Sequence, residues 1–338
     1  MAYQKRSASN PHCNLEEGGR PQSVYVGVDI GASKILVGVS RSPPTIDKKT
    51  IRPFPKHGDE FTVSRIVKEM IVSLLEGNRE IKGIGVGTIG PLDFKRGVVT
   101  GSPNAPIRTF VLKEPLESAF KTRVIVHNDC TAAVWSEAVF GRGRSYSDIG
   151  YITISSGVGG GFVLGGRLVT GRRGNAHEVG HIVVDYKSNI KCGCGGTGHW
   201  EAIGGGFRIR EALKYLVEHE YKGPRTEFAK LCMRGEADYN KLFDYYSRGD
   251  FAASALLEIV MKAHAAGIAS VIATYDPEVL FLGGSIFLNH KRIFLQALRR
   301  YLRSYAVSSS IMTRTCTFGF DSVLVGAIAL VYSPPPTC

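Results

Sequence analysis

Residues 24–40 read VYVGVDIGASKILVGVS. Valines and isoleucines alternate on either side of Asp29-Ile30-Gly31-Ala32-Ser33-Lys34, the pattern of two strands joined by a glycine-containing turn. Such a turn can offer backbone N–H groups and the Ser33 hydroxyl to a phosphate. It is not a Walker loop, because the G-x4-G-K-[ST] spacing is absent and a strand follows. Alone, it reads equally as a plain hairpin. The reading changes at residues 150–164, GYITISSGVGGGFVL. There a strand at 150–155, a glycine-rich turn at 156–161 and a strand at 162–164 repeat the arrangement. Strand, glycine turn, strand, met twice, points to a duplicated α/β architecture: two similar domains with a nucleotide between them.

Further elements fit between and beyond these hairpins. Residues 60–77 carry apolar side chains at helical spacing, with Gly77 as a stop. Residues 81–86 form an apolar strand running into Gly87–Asp93, a loop placed where α/β sheets bind ligands. Asn104 offers an amide from the rigid loop 101–106, or is simply a turn residue. Residues 123–127 form a strand ending at Asn128-Asp129. Asp129 is placed for acid/base work there, although from this stretch alone it reads better as the N-cap of a helix over 131–140. Helices are predicted at 204–220 and 227–233, and an apolar, buried one at 251–275, stopped by Pro277. A strand over 279–282 leads into Gly283-Gly284-Ser285, where backbone could approach a flat ring. A basic helix is predicted at 291–305 and a last helix at 321–332.

Residues 177–201, HEVGHIVVDYKSNIKCGCGGTGHWE, hold two kinds of chemistry. Glu178, His181 and Glu201 can grip a hydroxylated ligand. His181, Cys192, Cys194 and His199 are nitrogen and sulfur donors sufficient for a closed tetrahedral zinc site. Glycines at 193, 195 and 196 let the loop wrap tightly. A metal there would fix His181 and Glu201 from opposite ends of the loop. The plainer reading is a loop with free thiols and surface histidines.

The chain has 338 residues, enough for two domains, with an ordinary apolar content of 43%. No apolar run approaches the roughly 20 residues of a membrane span. Residues 1–23 are polar, read as a disordered tail, and are not a secretory signal. Seven irregularly spaced cysteines favour a reducing, cytoplasmic compartment. The net charge of +12 is dispersed and comes with no nucleic-acid recognition motif; it suits a polyanionic substrate such as ATP.

Read in order, D-I-G-A-S-K, G-V-G-T-I-G-P-L-D, S-P-N-A-P, H-N-D, S-G-V-G-G-G, H-E-V-G-H, C-G-C-G-G-T-G-H-W-E and D-P-E-V-L-F-L-G-G-S resemble the ROK family of sugar kinases and repressors, over residues 24–333. The resemblance implies two actin-like (ribonuclease H-like) ATPase domains with a cleft between them. Residues 24–128 with about 321–333 would form the small domain, and 129–320 the large one, with its zinc loop at 181–199. It implies that Asp29, Gly31, Ser33 and Lys34 form one phosphate loop, Asp29 near Mg²⁺. Ser156, Gly157, Gly159 and Gly160 would form the other, and Gly283 and Gly284 would lie against adenosine. Asn104, Asn128, Asp129, Glu178, His181 and Glu201 would bind the sugar, with Asp129 as general base.

The implied activity is ATP-dependent phosphorylation of a hexose 6-hydroxyl, glucose foremost, by a homodimer. An N-acetylmannosamine or other amino-sugar kinase is the alternative within the class. A sugar-sensing repressor would need a DNA-binding domain ahead of Val24, and a dead sugar binder would not need Asp129. Two residues depart from the family pattern. His199 stands where a third cysteine is usual, leaving a His2Cys2 site. His177 stands where glycine is usual, and is expected to border the sugar pocket.

Overall fold

The computed structural model describes residues 23–75, 80–103, 105–172, 174–307 and 311–336. Residues 1–22 of the tail expected at 1–23, the stop at Gly77 and the site residue Asn104 lie outside the described residues.

In the first half, β1 (Val24–Ile30) and β2 (Lys34–Ser40) pair antiparallel, and β3 (Lys48–Pro53) extends the hairpin. α1 (Thr62–Leu74) buries Val63, Val67, Met70, Ile71 and Leu74, a stripe at helical spacing. That stripe shares a core with Val26, Val28, Val37 and Ile84 of the sheet. β4 (Ile81–Thr88) then lies parallel to β1. Short strands β5 (Leu92–Asp93), β6 (Val98–Val99) and β7 (Phe110–Val111) form a small separate sheet. α2 (Lys113–Phe120) leads to β8 (Val124–Asn128), parallel to β4, and α3 (Asp129–Val139) departs from its end. The main sheet runs β3-β2-β1-β4-β8.

The second half repeats the plan. β9 (Ile149–Ile154), β10 (Val158–Leu164) and β11 (Arg167–Leu168) are antiparallel neighbours. A loop containing a 3-10 turn at Val179–His181 follows. Then come α4 (Trp200–Gly204), α5 (Ile209–His219), α6 (Glu227–Met233), α7 (Tyr239–Ser247) and α8 (Phe251–Tyr275). β12 (Val279–Gly283) is parallel to β9, α9 (Ser285–Tyr305) follows, β13 (Met312–Thr315) is parallel to β12, and α10 (Ser322–Tyr332) closes the fold. This sheet runs β11-β10-β9-β12-β13, the same hairpin-plus-two-parallel-strands order as the first.

The halves meet through α10 and α3. α10 packs on β1 and β4 of the first sheet and on α3, and α3 packs on β10 of the second. At its tightest points backbone meets backbone. A Cβ at Gly85 would overlap the Ala327 carbonyl, one at Gly326 the Ala132 carbonyl, and one at Gly161 the Cys130 carbonyl.

Several elements differ from expectation. β10 begins at Val158, so Gly159 and Gly160 lie within the strand and the turn is Ser155–Gly157. The glycines sit there because α3 and its surroundings crowd the strand: Cys130 Sγ lies 2.8 Å from a Cβ position at Gly159, and Val179 equally near one at Gly160. The helix expected at 204–220 begins only at Ile209 as α5, and Gly205-Gly206 separate it from the short α4 that precedes it. α7 and β13 were not expected, and α9 starts at Ser285 with a non-helical residue at His290. α8 has the expected bounds, opened by the Asp250 carboxylate accepting from the Ala253 amide at 3.0 Å and closed by Asp276 in the left-handed region. Contrary to the reading of apolar runs, α8 is long and apolar enough to cross a membrane. It lies instead in the second core, with Leu256, Val260, Ile268 and Val271 fully buried.

Candidate active site

The β1–β2 turn is closed by the Gly31 amide donating to the Lys34 carbonyl at 2.9 Å, and is held to the next segment by the Phe54 amide donating to Ser33 at 2.9 Å. Ser33 and Lys34 are exposed there. Asp29 precedes the turn on β1, opposite Gly87 of β4. Burial and then the neighbouring Asp129 push its carboxyl up to about 7, against the pull of Lys34. Asp321, just before α10, adds to the push; its distance in sequence from any motif hides it from sequence reading.

Asp129 is the first residue of α3. The N-cap is Asn128, whose side-chain oxygen accepts from the Cys130 amide at 2.9 Å, so the cap reading of Asp129 is corrected by one residue. Asp129 Oδ1 accepts from the same amide at 2.8 Å. Burial raises its pKa, while that hydrogen bond works against the rise. Asp29 and Asp129 thus meet where the parallel strands β1, β4 and β8 end.

On the other side, the turn Ser155–Gly157 is packed from two directions. Ser155 Oγ lies 2.9 Å from Ser285 Oγ, and the Gly206 and Phe207 amides donate to the Ser155 and Ser156 carbonyls at 2.9 and 2.7 Å. Gly283 ends β12 above the Tyr151 hydroxyl, which leaves no room for a Cβ. Gly284 has φ 88° and lies against the Ile154 carbonyl. The result is a bare backbone shelf beside the Ser155–Gly157 turn. Gly159 and Gly160, expected in that turn, are not part of it.

Glu178, His181 and Glu201 converge between these turns. Glu178 Oε2 is 3.6 Å from His181 Nε2, and the other ring nitrogen, Nδ1, is 3.6 Å from Cys192 Sγ. Glu201 Oε2 accepts from the Val158 amide at 2.9 Å, just past the Ser155–Gly157 turn. Its Oε1 lies 3.8 Å from Cys192 Sγ. Burial raises the Glu178 pKa, and nearby Asp129 and Glu201 add to it while His181 opposes. Gly90 neighbours Glu178: a Cβ there would stand 3.5 Å from Oε1, an ordinary contact distance.

The donors of His181, Cys192, Cys194 and His199 all lie within 4.8 Å of one another. Two edges, Cys192 to His181 at 3.6 Å and Cys194 to His199 at 3.3 Å, match the roughly 3.3–3.8 Å donor spacing of a tetrahedral zinc site. The donor set therefore fits a zinc ion with modest contraction. Burial pushes the Cys192 thiol up to about 12.

Comparison with known proteins gives these residues their context. A model of the ROK family matches residues 25–333. The chain belongs to the ROK family. A glucokinase of Aeropyrum pernix is 39% identical over 92% of this chain and 97% of its own length. A ROK hexokinase of Thermus thermophilus superposes with TM-score 0.72 at 31% identity, over 91% of this chain and 98% of its own. A ROK glucokinase of Streptomyces griseus, solved with glucose and AMPPNP, gives 0.72 at 27% identity over the same shares. The two sheets are accordingly the two actin-like halves of a ROK protein.

His177, which departs from the ROK pattern, is 3% exposed, with Nε2 2.7 Å from the Gly174 carbonyl oxygen. It lies close to His127, which stacks on Phe94 at 5.4 Å. Burial depresses both imidazoles, His127 to about 4. His177 thereby pins its own loop, just ahead of Glu178, back onto Gly174.

Proposed function

We propose that this ROK protein is an ATP-dependent glucose kinase that transfers the γ-phosphoryl group to the sugar 6-hydroxyl. The observation that carries the proposal is the meeting of Asp29, Asp129 and Glu178, carried on β1, α3 and the loop before the 3-10 turn, between two turns on duplicated sheets.

In this reading Asn128, Glu178, His181 and Glu201 hold the sugar, together with Asn104. Asp129 accepts the hydroxyl proton as the O–P bond forms and the bond to ADP breaks; its raised pKa suits a group that must hold a proton. Gly31, Ser33 and Lys34 receive phosphate oxygens on one side, and Ser156 and Gly157 on the other. Gly283 and Gly284 form the shelf for the adenine end. Asp29 holds Mg²⁺, which supplies positive charge for the phosphoryl groups. His181, Cys192, Cys194 and His199 hold a structural zinc, which fixes the His181 ring so that Nε2 faces the sugar. A homodimer in the cytoplasm completes the proposal. No observation favours the amino-sugar, repressor or dead-binder readings.

The test is a coupled ADP-release assay with ATP and Mg²⁺ against glucose, mannose, fructose, glucosamine, N-acetylglucosamine and N-acetylmannosamine, run on wild type and Asp129→Asn. Glucose turnover is expected, lost by about 10²–10⁴-fold in the variant while calorimetric glucose binding persists. Turnover confined to N-acetylmannosamine would move the substrate. Unchanged turnover in Asp129→Asn would remove Asp129 as the base.

A further inference from the structure

Beneath the candidate site lies a polar cluster that the mechanism above does not use. His264, in the middle of the apolar helix α8, is fully buried. Both its ring nitrogens are partnered. Nδ1 accepts from the Trp200 indole N–H at 2.9 Å, and Nε2 lies 3.2 Å from the Tyr239 hydroxyl. Tyr239 in turn donates to the Gly204 carbonyl at 2.8 Å. The bonding pattern fixes one tautomer, with the proton on Nε2. Burial depresses the imidazole to about 3, so it is neutral at any working pH.

What the cluster grips is specific. Trp200 is the first residue of α4 and Gly204 the last. A helix of five residues cannot hold its own geometry, because nucleation outweighs its few internal bonds. Packing fits it just as closely: Gly267 of α8 lies flat under the Trp200 ring, and Gly204 under the His264 ring, with no room for a Cβ at either. α4 carries Glu201, begins directly after the metal donor His199, and is followed by Gly206 and Phe207, which bond the Ser155–Gly157 turn.

We infer that His264 is a positioning residue: through Trp200 and Tyr239 it clamps both ends of α4, and so sets where Glu201 stands between the zinc loop and the second phosphate turn. The inference rests on the reading of Glu201 as a sugar ligand. The neutral imidazole acts as acceptor at one end and donor at the other. A phenyl ring of similar size would leave the Trp200 N–H and the Tyr239 hydroxyl without that link.

The experiment compares wild type, His264→Phe, His264→Gln, Tyr239→Phe and Glu201→Gln for glucose KM, ATP KM, kcat and thermal midpoint. Trp200 emission is followed during glucose titration in a Trp135→Phe background, which leaves it the lone indole. The expected result is a glucose KM raised about tenfold in His264→Phe, the equivalent of about 1.4 kcal/mol, with ATP KM within about twofold. His264→Gln is expected to recover part of the loss, and Tyr239→Phe to show a smaller rise of the same kind. Glucose is expected to shift Trp200 emission in the His264 background and not in His264→Phe. If His264→Phe and Tyr239→Phe both fold and keep the wild-type glucose KM while Glu201→Gln loses glucose, the clamp is wrong and the sugar reading stands. If Glu201→Gln also leaves glucose KM unchanged, the reading of Glu201 itself fails. Equal rises in both KM values, tracking the thermal midpoint, would make His264 a core residue only. Should His264→Phe not fold, Tyr239→Phe and His264→Gln decide between the same outcomes.

Discussion

Asp29 combines a cost to folding with a use in function. Its carboxyl stands near 3.8 in an unfolded chain and about 7 in the folded one, because burial and Asp129 disfavour its charge. A raised folded value means that the stabilising contribution is complete below the unfolded pKa and is lost as pH rises through about 7. The ceiling on that loss is about 4 kcal/mol. The thermal midpoint of protein free of metal and nucleotide is therefore expected to fall between about pH 4 and pH 7. Asp29→Asn is expected to flatten that slope and raise the midpoint at neutral pH, while kinase activity drops about 100-fold or more. A variant as pH-sensitive as wild type would assign the slope to other groups, with Asp129 and Glu178 the first to test. Local sequence announced Asp29 and Lys34 through their turn, but not the push from Asp321, which arrives from the far end of the chain.

At the scale of elements, legibility followed how local the causes were. α6 and α8 were readable to the residue, since caps such as Thr226 and Asp250 and a proline stop lie beside them. β10 was misread because Gly159, Gly160 and Gly161 answer to neighbours distant in sequence, not to a turn. β13 has a weak local pattern and is settled by pairing with β12, whereas α7 carries one, Asp238 as cap and Tyr239, Leu242 and Phe243 at helical spacing, that the sequence reading passed over. The loop at 181–199 was legible as a donor set for a metal, and its folding placed all the donors within reach. Ligation requires Cys192 to lose a proton held to about 12 without metal, so affinity is expected to weaken as pH falls. With zinc at about a hundred times its Kd, the loaded protein gains about 2.7 kcal/mol over a chelated sample. Chelation is expected to lower the thermal midpoint and raise glucose KM together, since the proposal places His181 in both sites. Protein that carries no zinc after expression in zinc-replete medium, and shows no shift on chelation, would return the loop to free thiols and histidines.

Across the whole molecule, the ROK fold joins two sheets of one topology through α10 and α3, and backbone meets backbone at the tightest points of that join. Gly85→Ala is expected to cost about 1–3 kcal/mol, because neither the Ala327 carbonyl nor the strand can retreat without repacking. Denaturant unfolding measures it directly. A loss below about 0.5 kcal/mol would mean the seam is loose. The duplication was visible in the repeated hairpins, whereas this seam was not: a glycine in a strand looks the same whether it faces a ligand, a turn or a helix. The seam also bears on how such a protein would look to a geneticist. A saturation library screened by growth on glucose would mark Gly85, Gly161 and Gly326 as heavily as the acidic residues of the cleft. Only a parallel screen for protein abundance would separate residues that do chemistry from residues that matter because nothing else fits in their place.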